Sequence, residues 1–282
     1  MNLFKTGILL TALTLLLVFI GRLLGGQQGM MMALIFALVM NLGAYWFSDK
    51  IVLAMYHAQP MARSDAPELF DIIGELTRKI GMPMPQVYLV PQESPNAFAT
   101  GRGPNHAAVA VTSGILRLLT REELRGVLAH ELGHVRNRDI LTMSIAATIA
   151  GAIAMLASWA RWGLMFGGRR DEERRGGGLE LIAFLLLLIL APLAATLIQL
   201  AISRTREYGA DESGAHLAGS PGGLISALRK LDDASRQIPL TGVNPATAHL
   251  CIVNPLSGAA FAALFSTHPP IPQRIERLRN LA

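Results

Sequence analysis

The chain has 282 residues, of which 51% are hydrophobic and only 16% are charged, and its formal net charge is +5. A charged fraction this far below the usual ~25% argues against one large soluble core and favours segments that lie in lipid. Cys251 is the only cysteine, which excludes an intramolecular disulfide, and we expect it to pack as a small apolar side chain. The basic residues are scattered without interleaved aromatics, which argues against nucleic-acid binding and favours a membrane protein with cytoplasmic Lys and Arg.

Four apolar stretches are predicted to be long enough to cross a membrane, because about 20 helical residues span the ~30 Å hydrocarbon core. They are Thr6–Leu24, Met30–Phe47, Ile140–Trp159 and Leu181–Ile202. No clear small-x-small cleavage site follows the first stretch, so we interpret it as a retained anchor rather than a signal peptide. Basic residues follow the second stretch, and the positive-inside rule therefore places that segment and the N-terminus in the cytoplasm.

The loop between the third and fourth stretches conflicts with this rule, because it carries Arg161, Arg169, Arg170, Arg174 and Arg175. Either both stretches cross and the loop violates the rule, or the hairpin dips into the membrane without crossing fully. We therefore predict two transmembrane helices in residues 1–48, a first soluble part in 49–139 and a second in 204–282. Residues 140–203 are predicted to be a hydrophobic hairpin, transmembrane or membrane-dipping, inserted between the two soluble parts.

The soluble part shows alternating helix and strand signals. Asp65 is predicted to cap a helix that has Pro67 in its first turn and ends at Gly81. Two short strands are predicted at Gln86–Val90 and Ala107–Thr112, with a candidate edge strand between them at Asn96–Thr100.

The predicted helix with the most informative sequence starts at a capping box formed by Thr120 and Glu123. This helix could continue into the third apolar stretch. Two more helices are predicted at Leu224–Arg236 and Gln273–Leu281. The predicted fold class is therefore α+β: a mainly helical membrane protein with about four hydrophobic segments and a soluble domain that contains a small sheet.

The run His130-Glu131-Leu132-Gly133-His134 follows that capping box. Histidines four residues apart on a helix share one face and can offer two imidazole nitrogens to one Zn²⁺. Glu131 is rotated by about a third of a turn, which places it near a metal without binding it, as a general base requires. Asn137 and Ile140 replace the residues of the HExxHxxGxxH pattern, so a third histidine ligand of that type is excluded.

A carboxylate from a second helix is the other common third ligand, and Glu207 is the best candidate. Asp211 lies one turn further on the same face and could accept the remaining N–H of a ligating histidine. The alternative for both carboxylates is a solvated helical face. Because two predicted crossings separate His134 from Glu207, the chain returns to the same side of the membrane and the three ligands can meet.

The ordered set of motifs resembles the HtpX-type membrane metalloproteases, heat-shock-associated relatives of the CAAX prenyl proteases. After two N-terminal spans it comprises NAFATG (Asn96–Gly101), HELGH (His130–His134), an apolar hairpin, SRTREYGAD (Ser203–Asp211) and STHPP (Ser266–Pro270). The resemblance covers nearly the whole chain. It implies a zincin-like (gluzincin) soluble catalytic domain formed by residues 49–139 and 204–282. It also implies a metalloendopeptidase with one Zn²⁺ per chain, bound by His130, His134 and Glu207, and with Glu131 as catalytic base.

The resemblance also implies roles for three residues that spacing alone leaves structural. Asn96 and the backbone of Ala97 would bind the substrate as an added strand, whereas the residues alone favour an ordinary turn and strand start. His268 would contribute to oxyanion stabilisation or substrate orientation. Arg274 could pair with a carboxylate of the site, or it could be an ordinary charge on a helix surface.

The predicted function is zinc-dependent cleavage of misfolded or damaged membrane proteins on the cytoplasmic side of a bacterial inner membrane. The expected partners are unfolded polypeptide segments and the lipid bilayer, and no oligomeric state is predicted. One alternative is an intramembrane protease, which the charged residues around HELGH argue against. The other is a non-catalytic membrane scaffold with a structural metal, although such a site is normally closed by four protein ligands.

Overall fold

A computed structural model describes residues 2–149, 204–237, 250–252 and 269–281 of the chain. Helices predominate and one small sheet is present, in agreement with the predicted mainly helical α+β architecture. The fourth apolar stretch, most of the third and His268 lie outside the described residues. The elements in chain order are α1 (Asn2–Met55), β1 (Gln59–Pro60), α2 (Pro67–Lys79), β2 (Gln86–Val90), β3 (Ala97–Gly101), β4 (Ala107–Thr112), α3 (Ser113–Leu118), α4 (Arg121–Arg136), α5 (Asp139–Ile149), α6 (Arg204–Ala218), α7 (Gly222–Gln237) and α8 (Ile271–Arg279).

The first two predicted apolar stretches are the two arms of α1. The helix breaks at Gly25 and Gly26, and Gly26 has a φ of +57°, a conformation that glycine adopts without steric cost. The arms fold back on each other, since Asn41 Nδ2 donates to Thr14 Oγ1 at 2.8 Å. Within the described part of the chain, one helix, Gly25–Met55, is long and apolar enough to cross a membrane. The four-segment arrangement stays a prediction.

The four-stranded sheet has the order β1-β2-β4-β3, in which β2 and β4 are parallel and the other two pairs are antiparallel. Strand β3 is an edge strand, as predicted, and its bounds are shifted by one residue. Alternate side chains face opposite sides of the sheet. Val109 and Val111 pack in the core with α2 and α4, whereas Phe98 and Ala110 pack against the end of α1 and against α5. The sheet therefore separates the membrane helix from α4.

Two predicted helix boundaries are wrong. Helix α2 begins after Ala66 without a side-chain cap, because the Asp65 carboxylate instead accepts a hydrogen bond from Ala62 N at 2.8 Å. Helix α4 does not continue into the third apolar stretch. It ends at Arg136, and Arg138, with a φ of +60°, turns the chain before α5 begins.

The predicted capping box of α4 is confirmed, and its Glu123 carboxylate also bonds to side chains of α7. Thr120 N donates to Glu123 Oε2 at 2.8 Å, and the same carboxylate receives bonds from Ser226 and Lys230 at 2.7 and 2.8 Å. Burial raises the pKa of Glu123, but the bonds from Lys230, Ser226 and Thr120 outweigh burial and lower the pKa to about 2.

This depressed pKa predicts acid sensitivity. The carboxylate stabilises the fold fully above its ordinary pKa of 4.5, and the contribution is lost as pH falls towards about 2. Glu123→Gln keeps the capping box but loses the charge, so we expect about 2 kcal/mol lower stability at pH 7 and a weaker acid dependence. Thermal unfolding of the detergent-solubilised protein between pH 7 and pH 3 measures both the stability at pH 7 and its dependence on acid. Exposed Glu122→Gln is the control, and equal behaviour of the two variants would contradict the prediction.

Candidate metal centre

Helices α4 and α6 cross closely because small residues line their contact. A Cβ atom on Gly214 would lie 2.9 Å from both Cα and N of His130, and one on Gly133 would lie 2.9 Å from Ser213 Oγ. Gly133 therefore makes room for α6. This close approach brings the ligand candidates on the two helices together.

The crossing predicts different effects for the same substitution at two positions of α6. Gly214→Ala places its methyl group against the backbone of His130, so the helices must separate, and we expect a loss of about 1–3 kcal/mol and weaker metal binding. Gly209→Ala meets nothing within 4 Å and should be neutral or slightly stabilising. Thermal unfolding and metal titration of both variants test this prediction, which indistinguishable results would overturn.

His130, His134 and Glu207 are all buried and lie together at the crossing. The two Nε2 atoms are 3.2 Å apart, and the Glu207 carboxylate oxygens lie 3.8 Å from His130 Nε2 and 3.5 Å from His134 Nε2. Tetrahedral ligands about 2.0–2.2 Å from zinc would stand about 3.3–3.5 Å apart. The separations therefore suit a small divalent ion.

The outer nitrogens of both histidines face carboxylates. His130 Nδ1 lies 3.0 Å from Asp211 Oδ1, and His134 Nδ1 lies 3.4 Å from Asp139 Oδ2. These partners favour the tautomer with the proton on Nδ1, which leaves a lone pair on each Nε2. The two Nε2 atoms and the Glu207 carboxylate then present only acceptors to one another. Such a buried set calls for a positive charge, which either a proton on an imidazole or a bound metal ion supplies.

The carboxylates around His134 also favour a positive charge at this site. Burial lowers the pKa of His134, but the Asp139, Glu207 and Glu131 carboxylates outweigh burial and raise the pKa to about 9. The same negative environment that stabilises a proton on the imidazole stabilises a metal ion. The donor set of two imidazoles and one carboxylate is typical of catalytic zinc sites, which keep one coordination position open.

Glu131 is buried beside this set and contacts the edge strand. Its Oε2 atom accepts a hydrogen bond from Ala99 N at 2.9 Å. Burial raises the pKa of Glu131, the two histidines lower it and Glu207 raises it, with a net increase. The carboxylate is thus held in a water-poor position between α4 and β3, close to the three converging ligands.

Arg274 of α8 is fully buried, so the interpretation of its charge as a helix-surface charge is wrong. Its Nε and Nη2 atoms donate to the two oxygens of Asp211 at 2.9 and 2.6 Å, and Nη1 lies 3.9 Å from Glu207 Oε2. Burial raises the pKa of Asp211, but Arg274 and His130 outweigh burial and hold it below its usual value. Arg274 thereby fixes the carboxylate that faces His130.

Asp139 is a site residue that spacing analysis missed. It begins α5 and lies between His134 and Arg206, whose Nε atom is 3.7 Å from Asp139 Oδ1. The only signal in the sequence was an acidic residue five positions after the second histidine. The turn at Arg138 brings it back to the ring, and this turn was not predicted.

The structure places Asn96 and Ala97 at the start of the edge strand, both buried. Asn96 Oδ1 accepts from Ile252 N at 3.1 Å, so its side chain connects the strand to residues 250–252. Their proposed role in substrate binding stays a prediction, as does the role of His268, which lies outside the described residues.

Cys251 is buried as expected, and burial raises the pKa of its thiol to about 12.

Comparison with known proteins identifies the family. The profile of peptidase family M48 matches residues 63–282. The chain is 57% identical over 278 residues to "Protease HtpX homolog" of Syntrophobacter fumaroxidans, and the alignment covers 99% of each chain. It is 56% identical over 278 residues to the protein of the same name from Pyrococcus furiosus, with 99% of this chain and 95% of that chain covered.

The fold is similar to the crystal structure of S. mikatae Ste24p, with a TM-score of 0.53 and 20% sequence identity. The match covers 98% of this chain, which spans 65% of the length of the Ste24p chain, and at this identity it describes the fold alone. The long matches to the HtpX homologues carry the assignment. The chain belongs to peptidase family M48 and is an HtpX-type membrane metalloprotease.

Proposed function

We propose that the protein is a zinc-dependent endopeptidase in which His130, His134 and Glu207 hold one zinc ion. The single observation that carries this proposal is the convergence of three buried acceptor groups from α4 and α6. Asp211 and Asp139 orient the two imidazoles through Nδ1, and Arg274 fixes Asp211. The neighbouring Glu131 carboxylate supplies the proton-transfer group that peptide hydrolysis needs.

Zinc supplies Lewis acidity that polarises a peptide carbonyl and lowers the pKa of a water molecule. Glu131 accepts the proton of the attacking water at its carboxylate and then donates it to the leaving amine. The bond from Ala99 N fixes one oxygen of Glu131, so the other oxygen keeps a defined direction during both transfers. The buried setting raises the basicity of Glu131, which favours proton capture.

The outer edge of β3 is the proposed binding surface for the polypeptide. Thr112 N donates to Asn96 O at 2.9 Å, so the backbone groups of Asn96 and Phe98 point towards β4. The alternation of an antiparallel pair then directs Ala97 and Ala99 to the other edge, where Ala99 N meets Glu131. Because Ala99 N is bonded to Glu131 and Gly101 N donates to Ser144 Oγ at 3.3 Å, the proposed substrate strand pairs with the backbone of Ala97, next to Glu131.

We infer the cellular role from the HtpX-type relatives and the apolar helix. The proposed substrates are misfolded or damaged membrane proteins, cleaved on the cytoplasmic side of a bacterial inner membrane. The proposed organisation keeps residues 1–48 as transmembrane helices and residues 140–203 as an inserted hairpin. Residues 49–139 and 204–282 together form the catalytic domain. His268 is proposed to assist carbonyl stabilisation or substrate orientation.

Chelation and ligand substitution test this proposal. Purified protein in detergent should cleave casein, lose cleavage with a chelator and regain it with one equivalent of zinc. Glu207→Ala should lose both the stoichiometric zinc and the cleavage, because two histidines alone leave the site without its third ligand. Retained stoichiometric zinc in Glu207→Ala would assign the third ligand elsewhere, and chelator-insensitive cleavage would overturn the zinc mechanism.

The scaffold alternative makes a different prediction in the same experiment. Structural zinc sites are normally closed by four protein ligands. Among the described residues, the set that could hold a metal has three members. A protein that binds zinc stoichiometrically but never cleaves casein would support the scaffold.

A further inference from the structure

Residues 250–252 lie against the start of the edge strand, and all three are buried. Ile252 N donates to Asn96 Oδ1 at 3.1 Å, and Leu250 packs in the same cluster as Phe98. Because a backbone N–H needs an acceptor, the Asn96 amide must have its oxygen towards Ile252. The Asn96 side chain is thus bonded to another segment of the protein itself.

The backbone of Asn96 is held in place as well. Asn96 N donates to Thr112 Oγ1 at 2.8 Å, and Thr112 N donates to Asn96 O at 2.9 Å. The Thr112 hydroxyl also accepts from Ile115 N at 3.2 Å, so it caps α3 at the same time. Three hydrogen bonds therefore fix Asn96, and its side-chain oxygen sets the position of Ile252.

The carbonyl of Ile252 continues this connection to α8. Ile252 O accepts from Arg274 Nη1 at 3.3 Å, while Nε and Nη2 of the same guanidinium donate to Asp211. A two-point contact with a carboxylate fixes the guanidinium and the carboxylate relative to each other. The bond to Ile252 fixes this pair relative to the edge strand.

The position of Arg274 Nη1 matters because a zinc-ligand candidate lies beside it. Nη1 is 3.9 Å from Glu207 Oε2, which is too far for a hydrogen bond. A small movement of the guanidinium would close this gap, and the resulting charge-assisted bond would compete with zinc for the carboxylate. By accepting from Nη1, Ile252 O holds the guanidinium away from Glu207.

We propose that Asn96 is a positioning residue for the metal centre, which acts through Ile252 and Arg274 and does not bind the substrate through its side chain. This inference rests on the proposed function, because it assumes zinc on Glu207. Removal of the amide lets Ile252 shift and releases Nη1 towards Glu207, so zinc binds less tightly. Pairing with the substrate strand is left to the backbone of Ala97.

Two substitutions separate positioning from substrate binding. Asn96→Ala removes the acceptor and the donor of the amide, whereas Asn96→Asp keeps an acceptor for Ile252 N and loses the donor. In Asn96→Ala we expect zinc affinity to fall about 3–10-fold, less than the 10–100-fold typical of a direct partner of a ligand. Asn96→Asp should stay within about twofold of the wild type, because a carboxylate oxygen also accepts. KM for casein at saturating zinc should be unchanged in both.

The Arg274→Lys background tests the path of this effect. One ammonium group cannot reproduce the two-point contact with Asp211 while it also bonds to Ile252. Asn96→Ala should therefore change zinc affinity by less than about twofold in this background, as a double-mutant cycle measures. Exposed Asn105→Ala, in the turn between β3 and β4, is the matched control and should bind zinc like the wild type.

Chelator competition gives the zinc affinity, and thermal unfolding of the zinc-free proteins shows that each variant is folded. Unchanged affinity in Asn96→Ala, an equal loss in Asn96→Asp, or an undiminished effect in the Arg274→Lys background would overturn the inference. A higher KM in both variants would assign the side chain to the substrate and overturn it too. If Asn96→Ala does not fold, the KM of Asn96→Asp decides between the two roles.

The wild type in the same assays separates this inference from the proposed function. A wild type that binds zinc and cleaves casein, beside an Asn96→Ala protein with normal zinc affinity, overturns the positioning role alone. A wild type that binds no zinc overturns the proposed function.

Discussion

Glu131→Gln should lower kcat for peptide cleavage by about 10²–10⁴-fold, the usual contribution of a general base. The amide has the shape of the carboxylate, and its carbonyl oxygen can still accept the bond from Ala99 N. It cannot take a proton from water, so the step that Glu131 performs is lost. Because Glu131 is not among the three converging ligands, zinc content should stay at one per chain.

The control for this variant is Glu122→Gln on the same helix, where the side chain is exposed. We expect full activity and full zinc content there. Casein cleavage, elemental analysis and thermal unfolding of the two variants and the wild type give the three required readouts. A Glu131→Gln protein that keeps more than a tenth of wild-type kcat would remove Glu131 from the role of base. Loss of zinc would make it a ligand.

Arg274→Ala is expected to cost about 3–5 kcal/mol of stability, because it leaves buried carboxylates without their cation. Asp211 would lose both of its guanidinium bonds, and Glu207 would lose a positive charge 3.9 Å away. We also expect weaker zinc binding, since Asp211 would no longer be held against His130. Arg274→Lys keeps the charge but not the two-point contact and should fall between the wild type and Arg274→Ala.

Arg279 lies in the same helix with an exposed side chain, so Arg279→Ala is the matched control and should change stability by less than about 0.5 kcal/mol. Thermal unfolding of the zinc-free proteins separates folding from metal binding, and chelator competition gives the zinc affinity. If Arg274→Ala unfolded like Arg279→Ala, the buried pair would have no structural role. If only its zinc affinity fell, Arg274 would contribute to the metal centre and not to the stability of the fold.

Local sequence signals predicted the elements that carry the ligands. The capping box at Thr120 and the short strands β2 and β4 depend on a few neighbouring residues, and the structure has them at the predicted positions. Helical spacing named Glu207 and Asp211 as candidates, and the family resemblance also implied Glu207 as a ligand. The structure brings both carboxylates to the histidines although they lie on another helix. The catalytic roles themselves stay predictions until the variants are measured.

Long-range contacts account for what the sequence could not predict. Arg274 looks like a surface residue in its own helix, and its burial depends on where α8 meets α6. The Asp65 cap failed because the preceding loop offered its carboxylate another donor, Ala62 N. The contact of Asp139 with His134 depends on a positive φ at Arg138, which is uncommon for a residue other than glycine.

The pairing of Asp139 with Arg206 has a consequence for how this protein can change over evolutionary time. Asp139 precedes the predicted hairpin 140–203 and Arg206 follows it, yet their charged groups approach to 3.7 Å beside His134. The points where the chain leaves and returns to the catalytic domain are thus tied together at the metal centre. We therefore expect changes of sequence or length between these two residues to leave the ligand geometry in place, because the ion pair sets the distance between the two ends.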